Sequence, residues 1–305
     1  MAENHAYYGR DVLPFLAEQY KQLYIPPSED ALEAYRDIVL SGGEPESHSL
    51  SHFLMHADDS AVYEETPVGP VLAVTLHERK DFETFLQIIA NKCQPVEIPA
   101  TQGASMLEGL ISWPKIEAHR KAFLAQAEAD EIPDPDWDSE FSRFTSVKAN
   151  YTDAMLVLSA GPYSAVDGRE FGISEDQWIN DSITIRRYHE LNHFICRRQW
   201  PEKISAVWDE LVADAVGLHA AYGRYDIAMA ERFLGIRDGS YTGGRLENYV
   251  GKTVPAEQQD RLNRLARKIH PILESFAEII NTQPKIHPFE LIPLLENRFA
   301  GDITV

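Results

Sequence analysis

Two histidines and a glutamate in the segment RRYHELNHFICRRQW, residues 186–200, have the spacing of a metal-binding helix. His189 and His193 are four residues apart, so on a helix both imidazoles lie on one face and can reach the same Zn²⁺. Glu190 would then lie beside the metal, where it can take a proton from a metal-activated water. The motif also arises by chance in chains rich in His and Glu, so a second element must support the prediction.

The next segment, PEKISAVWDELVADAVGLHAAYG at residues 201–223, predicts a second helix that begins at Pro201 and forms an antiparallel hairpin with the first. Glu210 and Asp214 share one face of this helix, one turn apart. Their neighbours on that face are small: Ala206, Ala213, Gly217 and Ala221. Two carboxylates amid small residues indicate that another element packs closely there, and a metal with histidine ligands would offset the cost of their burial.

These two segments resemble the motifs of the gluzincins, the thermolysin-like zinc metallopeptidases in which an HExxH helix is followed by a helix carrying E-x-x-x-D. The resemblance covers only residues 189–217. It implies that His189, His193 and Glu210 bind Zn²⁺, that Glu190 is the general base, and that Asp214 orients the first histidine. Sixteen residues separate His193 from Glu210 (210 − 193 − 1), so the hairpin must be tight.

Other residues near the motif have weaker signals. The segment SYTGGRLENY, residues 240–249, offers Tyr241 and Arg245 as catalytic oxyanion donors, although it also fits a loop that caps a helix. Cys196 follows the second histidine, but a single cysteine on a helix is more often core packing, and we leave it out of the ligand set. Gln199 occupies the position at which a metzincin has its third histidine, so the sequence does not match the metzincin motif. A di-iron site would need a second Glu-x-x-His, which the chain lacks.

His48, His52 and His56 recur every four residues beside two aspartates, Asp58 and Asp59. We interpret them as an exposed stripe on a helix. An independent metal site or a contribution to the main site is the alternative.

The composition limits the possible partners. The chain has 305 residues, 48 of them acidic and 28 basic, and its net charge of −20 would repel a nucleic acid. No apolar run is long enough to cross a bilayer and the amino terminus does not resemble a leader, so we expect a cytoplasmic protein with no membrane partner. Two cysteines, Cys93 and Cys196, are too few for a disulfide framework.

The pattern of the chain predicts an α+β fold that is predominantly helical. Predicted strands are VLAVTL at 71–76, VEIP at 96–99 and AMLVLSAGPYS from 154, which form a small sheet in the N-terminal half. Helices are predicted around them, including SEDALEAYRDIVL, with Ser28 as its cap and Gly42 as its stop, two patterns between residues 100 and 130, and a long helix from Pro255 to about Asn281.

The acidic, proline-containing segment at 128–144 predicts a linker or a long surface loop. It would separate a mixed α/β lobe, residues 1–130, from a mainly helical lobe, residues 145–305, that carries the HExxH hairpin. A single domain also fits this pattern.

Two functions remain open at this point. The first is a zinc-dependent hydrolase, a metallopeptidase or amide hydrolase, that acts on a peptide or small amide, with residues 154–160 as an edge strand for an extended substrate. The second is a non-catalytic helical binding or scaffold protein, in which the HExxH and ExxxD residues form a polar network or a structural metal site. The first requires both imidazoles and the Glu210 carboxylate to converge on one point.

Overall fold

The computed structural model describes residues 6–202, 206–251, 254–298 and 303. The chain divides into two compact units, one formed by Met1–Glu64 with Val71–Ser159 and the other by Glu65–Pro70 with Ala160–Val305. The fold is α+β and mainly helical, with a small sheet in the N-terminal half, which confirms the predicted class. No helix in the described part of the chain has both the length and the apolar character that a membrane span requires.

The sheet has five strands, and its central pair is the most deeply buried. The strands are β1 (Tyr7–Tyr8), β2 (Ser60–Thr66), β3 (Gly69–Leu76), β4 (Ala104–Ile111) and β5 (Thr152–Ser159), in the order β1-β2-β3-β5-β4. β5 is parallel to β3 and antiparallel to β4. Because β5 therefore has a partner on both sides, the prediction that residues 154–160 form an edge for an extended substrate is wrong.

The helices of the first unit are α1 (Val12–Gln19), α2 (Leu32–Ser41), α3 (Arg79–Ile89), α4 (Trp113–Ala129) and α5 (Trp137–Thr145). α2 ends at Gly42 in the left-handed conformation, as predicted. Ala31, and not Ser28, occupies its N-cap position, while the Ser28 carbonyl accepts from the Ala31 N–H. Apolar side chains of α1, α3, β3 and β5 form the core of this unit, among them Leu13, Phe82, Phe85, Val74 and Met155.

Two sequence predictions for this unit differ from the structure. Residues 96–99 lie outside any strand, and β4 occupies the stretch after them whose pattern favoured a helix. The acidic segment contains α5, whose first turn is capped by the Asp136 carboxylate accepting from the Ser139 N–H. Since β5 then returns to the centre of the sheet, the units divide after Ser159 and not in the acidic segment.

The second unit is mostly helical. Its elements are α6 (Glu175–Gln199), α7 (Ala206–Tyr222), α8 (Ile227–Leu234), the short strands β6 (Ile236–Arg237) and β7 (Ser240–Tyr241), a 3-10 turn (Arg245–Tyr249), α9 (Pro255–Ile280) and α10 (Pro288–Glu296). α6 and α7 form the predicted helical hairpin. Pro201 and Glu202 lie in a turn, and residues 203–205, where we expected the second helix to continue from Pro201, are outside the described residues.

α6 and α7 approach each other closely at Gly217. A Cβ atom added at Gly217 would lie 2.6 Å from the carbonyl oxygen of Ile185 on α6, so a larger residue would push the helices apart. Ala213, one turn earlier on α7, is fully buried, whereas Ala206 at the start of the helix is exposed. The small residues in the middle of α7 thus set the distance between the helices and bring their polar side chains together.

Candidate metal centre

His189, His193 and Glu210 bring three ligand atoms together where α6 faces α7. The Nε2 atoms of the two histidines are 3.0 Å apart, and each is 3.5 Å from a different oxygen of Glu210. The two imidazole rings lie nearly perpendicular to each other, at 86°. Zinc bonds of about 2.0–2.2 Å in a tetrahedral site put neighbouring ligand atoms about 3.3–3.6 Å apart, and the observed spacing is close to that.

The Asp214 carboxylate holds His189 from the side opposite the cluster. Its Oδ1 lies 2.9 Å from Nδ1 of His189 and accepts a 2.6 Å hydrogen bond from the Tyr163 hydroxyl. Arg245 donates to the other oxygen of Asp214 and, through Nη1, to the Tyr163 hydroxyl at 3.2 Å. Nδ1 of His189 therefore contacts both Asp214 and the Tyr163 hydroxyl, at 2.9 and 2.8 Å, and Arg245 bonds to both of these residues.

Asp214 stays ionised although only 2% of it is exposed. Burial favours the neutral acid, but the positive charge of Arg245 and the hydrogen bonds from His189 and Arg245 outweigh it and lower the pKa of Asp214. An ionised carboxylate only accepts hydrogen bonds, so Nδ1 of His189 carries the ring proton. Its Nε2 lies 3.0 Å from Nε2 of His193 and 3.5 Å from Glu210, and in the neutral imidazole this nitrogen carries the lone pair.

His193 has a carboxylate partner of its own in Asp209, whose Oδ2 lies 2.7 Å from Nδ1. Burial disfavours the charged imidazolium, but the hydrogen bond and charge of Asp209, with the charges of Glu210 and Glu190, prevail and raise the pKa of His193. Sequence reasoning missed Asp209. Its only signal was an acidic residue directly before the expected ligand Glu210.

Glu190 lies on α6 directly after His189 and is half-buried. Its negative charge acts on His193. Within the described part of the chain, its carboxylate makes no hydrogen bond or ion pair, in contrast to Asp209 and Asp214. Glu190 is therefore a half-buried acidic side chain next to the cluster whose carboxylate has no bond within the described residues.

The structure separates the two predicted oxyanion donors. The Arg245 side chain reaches the cluster, but its guanidinium is bound to Asp214 and Tyr163 and lies 3.6 Å from Glu210. The Tyr241 hydroxyl instead lies 2.9 Å from the Gly244 carbonyl and accepts from the Gly244 N–H. Arg245 thus contacts Asp214, Tyr163 and Glu210 at the cluster, whereas the Tyr241 hydroxyl bonds within its own loop.

Two tyrosines that the sequence did not single out complete the surroundings. Tyr163, only 4% exposed, packs its ring 5.1 Å from the Arg245 guanidinium while its hydroxyl binds Asp214. Tyr249 bonds to Glu210, and burial together with that carboxylate raises the pKa of Tyr249. Their chain positions give no signal, because both reach the site through loops whose course depends on the fold.

Cys196 lies one turn beyond Asn192 and is buried. Its Sγ is 3.7 Å from the Asn192 side-chain oxygen and 3.9 Å from Oε1 of Glu296 on α10. Burial, with the negative charge of Glu296, raises the pKa of the Cys196 thiol well above its ordinary value. A neutral thiol is a poor metal ligand, so these contacts agree with leaving Cys196 out of the ligand set.

A second group of possible ligands lies in the first unit, where His56, Asp59 and His77 meet. The two rings are stacked, with centroids 5.3 Å apart and planes 18° from parallel, unlike the nearly perpendicular rings of His189 and His193. The Asp59 oxygens already accept the backbone N–H groups of both histidines, at 3.0 and 2.8 Å. Asp59 therefore binds the backbone of both histidines, and the group lacks the perpendicular ring arrangement of His189 and His193.

The prediction that His48, His52 and His56 form a stripe on an exposed helix is wrong. Residues 43–59 follow the end of α2 and contain no helix, so a four-residue recurrence has no common face there. His52 instead bonds through Nε2 to the Leu23 carbonyl at 3.0 Å.

Comparison with known proteins gives a family but no activity. No curated protein and no solved structure matches the chain. A family model matches residues 5–295, nearly the whole chain. The chain therefore belongs to DUF7005, a family of unknown function.

Proposed function

We propose that this protein is a zinc-dependent hydrolase that cleaves a peptide or small amide. His189, His193 and Glu210 would be the zinc ligands, and Glu190 the general base. The observation that carries the proposal is the 3.0 Å distance between two Nε2 atoms whose rings are both anchored to carboxylates through Nδ1. If each Nδ1 carries the ring proton towards its carboxylate, two Nε2 lone pairs face each other at this distance, and a zinc ion between them would remove their repulsion.

The ligand set favours zinc among the available cations. Two imidazoles and one carboxylate suit Zn²⁺, and three protein ligands are the number that a catalytic zinc site uses while keeping one position open. Each histidine has a carboxylate behind it, an arrangement that fixes the tautomer and increases the basicity of the ligand. When bound, zinc would supply an acidified water and polarise the carbonyl of the substrate.

The remaining steps belong to the residues of the chain. Glu190 takes a proton from the attacking water and passes it to the leaving amine, for which its unbound carboxylate is suited. Asp214 and Asp209 hold the two imidazoles, while Arg245 and Tyr163 keep Asp214 ionised and in place.

The net charge of −20 supports a substrate other than a nucleic acid. Free, buried cysteines agree with the cytoplasm as the compartment we propose.

The non-catalytic alternative also has an observation in its favour. The raised pKa of His193 would allow its imidazolium to donate through Nε2 to His189, which completes a polar network without a metal. Such a scaffold would contain no zinc and would have no hydrolytic activity. A structural zinc site would bind the metal but would show no rate that depends on Glu190.

A comparison of wild type with Glu190→Gln tests the proposed hydrolase. Both proteins are assayed for zinc content and for hydrolysis of a fluorogenic peptide and amide library. We expect Glu190→Gln to keep its zinc and lose about 10²–10⁴-fold in rate. Glu175→Gln, an exposed carboxylate in the first turn of the same helix, is the matched control and should retain full activity.

Two results would contradict this proposal. If zinc-loaded Glu190→Gln hydrolyses at the wild-type rate, Glu190 is not the base. If zinc-loaded wild type hydrolyses none of the substrates, the site is not that of a peptide or amide hydrolase.

A further inference from the structure

The first unit contains a cavity of about 270 Å³ that the proposed hydrolase does not use. It is bounded by residues of α1, the 3-10 helix Lys21–Tyr24, α2 and the residues that follow it, the end of β4 and the start of α4. Its apolar surface includes Ile38, Val39 and the indole of Trp113, and three carboxylates line it as well: Glu18, Glu44 and Glu117. The volume lies just below the range of about 300–1,000 Å³ for small-molecule sites, which limits an occupant to a small ligand.

Gln22 contributes a polar side chain to the lining of this cavity. The residue lines the cavity and is only 7% exposed. Its side-chain amide makes no hydrogen bond to any of the residues that the structure describes. The amide is not sealed off from solvent, so inside the cavity it is available to a ligand or an ordered water.

The charges around the cavity favour a cation. Three carboxylates and one ammonium, Lys21, give its lining a net charge of −2 (1 − 3). Lys21 is paired with Glu44, and Glu18 accepts from the Tyr24 hydroxyl. Glu117 has no partner within the described ranges, so its charge is available. The overall charge of −20 further raises the local concentration of cations and lowers that of anions.

The Trp113 ring is fixed in the wall. Its Nε1 donates to the Val39 carbonyl at 3.0 Å, and Gly42 packs against the six-membered ring so closely that a Cβ there would lie 2.8 Å from it. Gly42 also has a positive φ of 71°, which only glycine adopts readily. A rigid indole beside carboxylates is a favourable surface for an organic cation, through cation–π attraction.

We propose that this cavity binds a small organic cation, a primary amine or guanidinium with a short apolar body. The apolar body packs on Ile38, Val39 and the Trp113 ring. Glu117 and the Gln22 amide recognise the charged head. The site lies within the first unit and shares no residue with the metal centre, so this proposal is tested independently of the proposed hydrolase.

Three probes of similar shape and different charge test the proposal on the full chain. Phenethylamine is the cation, 2-phenylethanol the neutral analogue and phenylacetate the anion. Binding is followed by NMR through the indole N–H signals of the five tryptophans, with Trp113→Phe used only to assign the Trp113 signal. We expect phenethylamine to shift the Trp113 signal and to bind at least about tenfold more tightly than 2-phenylethanol, and phenylacetate not to bind.

Variants then locate the binding groups. Glu117→Gln should weaken phenethylamine binding several-fold, whereas Glu128→Gln, an exposed carboxylate on the same helix but outside the cavity, should leave it unchanged. Gln22→Leu keeps the shape of the side chain and should also weaken binding, with circular dichroism confirming the fold. Equal affinity for cation and neutral probe, no binding of phenethylamine at millimolar concentration, or no difference between the two glutamate variants would overturn the proposal.

Discussion

At the scale of single residues, every candidate zinc ligand has a second residue behind it. Asp214 holds His189, Asp209 holds His193 and Tyr249 contacts Glu210. Asp214 could be expected from its place one turn after Glu210. The roles of Asp209 and the two tyrosines could not, because they depend on how loops and helices meet in space and leave no periodic signal.

The first prediction concerns the carboxylates behind the histidines. Asp214→Asn and Asp209→Asn should each lower zinc affinity by about 10–100-fold, since an amide holds the imidazole less firmly than a carboxylate does. Asp214→Asn should also destabilise the protein by about 3–5 kcal/mol, because it leaves the charge of Arg245 without its largely buried partner. Chelator competition and denaturant unfolding measure the two effects.

Asp176→Asn, exposed on the same helix as the histidines, is the control and should change neither zinc affinity nor stability. Wild-type zinc affinity in both Asp214→Asn and Asp209→Asn would disprove the orienting role.

A second prediction concerns the two thiols. Burial raises the pKa of Cys93 to about 12, and burial with the charge of Glu296 raises that of Cys196, so both remain protonated at pH 8. The thiolate is the reactive form, and neither cysteine should react rapidly with Ellman's reagent in the native protein. Two thiols should react after denaturation. Rapid reaction of Cys196 in the folded state would show that its surroundings differ from those described here.

At the scale of elements, the sequence predicts most reliably what is fully buried. β3 and β5 appear as continuous apolar runs, VLAVTL and MLVLS, and both were found. β4 was not predicted as a strand. It is half-exposed, and its pairing with β5 shifts register between Glu108 and Leu110, which breaks the alternation that identifies a strand. The hairpin of α6 and α7 could be predicted because the candidate metal ligands and the packing residues recur at helical spacing along each helix.

The third prediction tests the close packing of that hairpin. Gly217→Ala places a methyl group against the Ile185 carbonyl and should destabilise the protein by about 1–3 kcal/mol. It should also weaken zinc binding, because the separation of the helices sets the distance from Glu210 to the histidines. Gly161→Ala, where an added Cβ meets no atom within 4 Å, is the control. Unchanged stability and zinc affinity in Gly217→Ala would mean that the helices are not held at this distance.

At the scale of the whole molecule, the division into units was the least predictable feature. Acidic residues and prolines at 128–144 suggested a linker, yet they surround a capped helix, and β5 after them belongs to the sheet of the first unit. Strand pairing joins residues distant in sequence, so local composition does not reveal it. All the candidate ligands and the residues behind them nevertheless lie in one unit, Glu65–Pro70 with Ala160–Val305.

The fourth prediction follows from that placement. A ligand that binds only the folded state stabilises it, by about 2.7 kcal/mol when present at 100 times its Kd. Zinc should therefore slow hydrogen exchange in α6 and α7 and leave β3 and β5 unchanged. Exchange measured by mass spectrometry with and without zinc tests this. Protection confined to the first unit, or found nowhere, would contradict a zinc site in the hairpin.

The most direct test of the central claim is the zinc content of the purified protein, measured by elemental analysis after dialysis, in wild type and in Glu210→Gln. If His189, His193 and Glu210 form a zinc site, wild type will contain about one zinc per chain, and Glu210→Gln, which replaces the ligand carboxylate with an amide of the same shape, will contain much less. A wild-type protein that stays metal-free when zinc is supplied, or equal zinc in both proteins, would contradict the account.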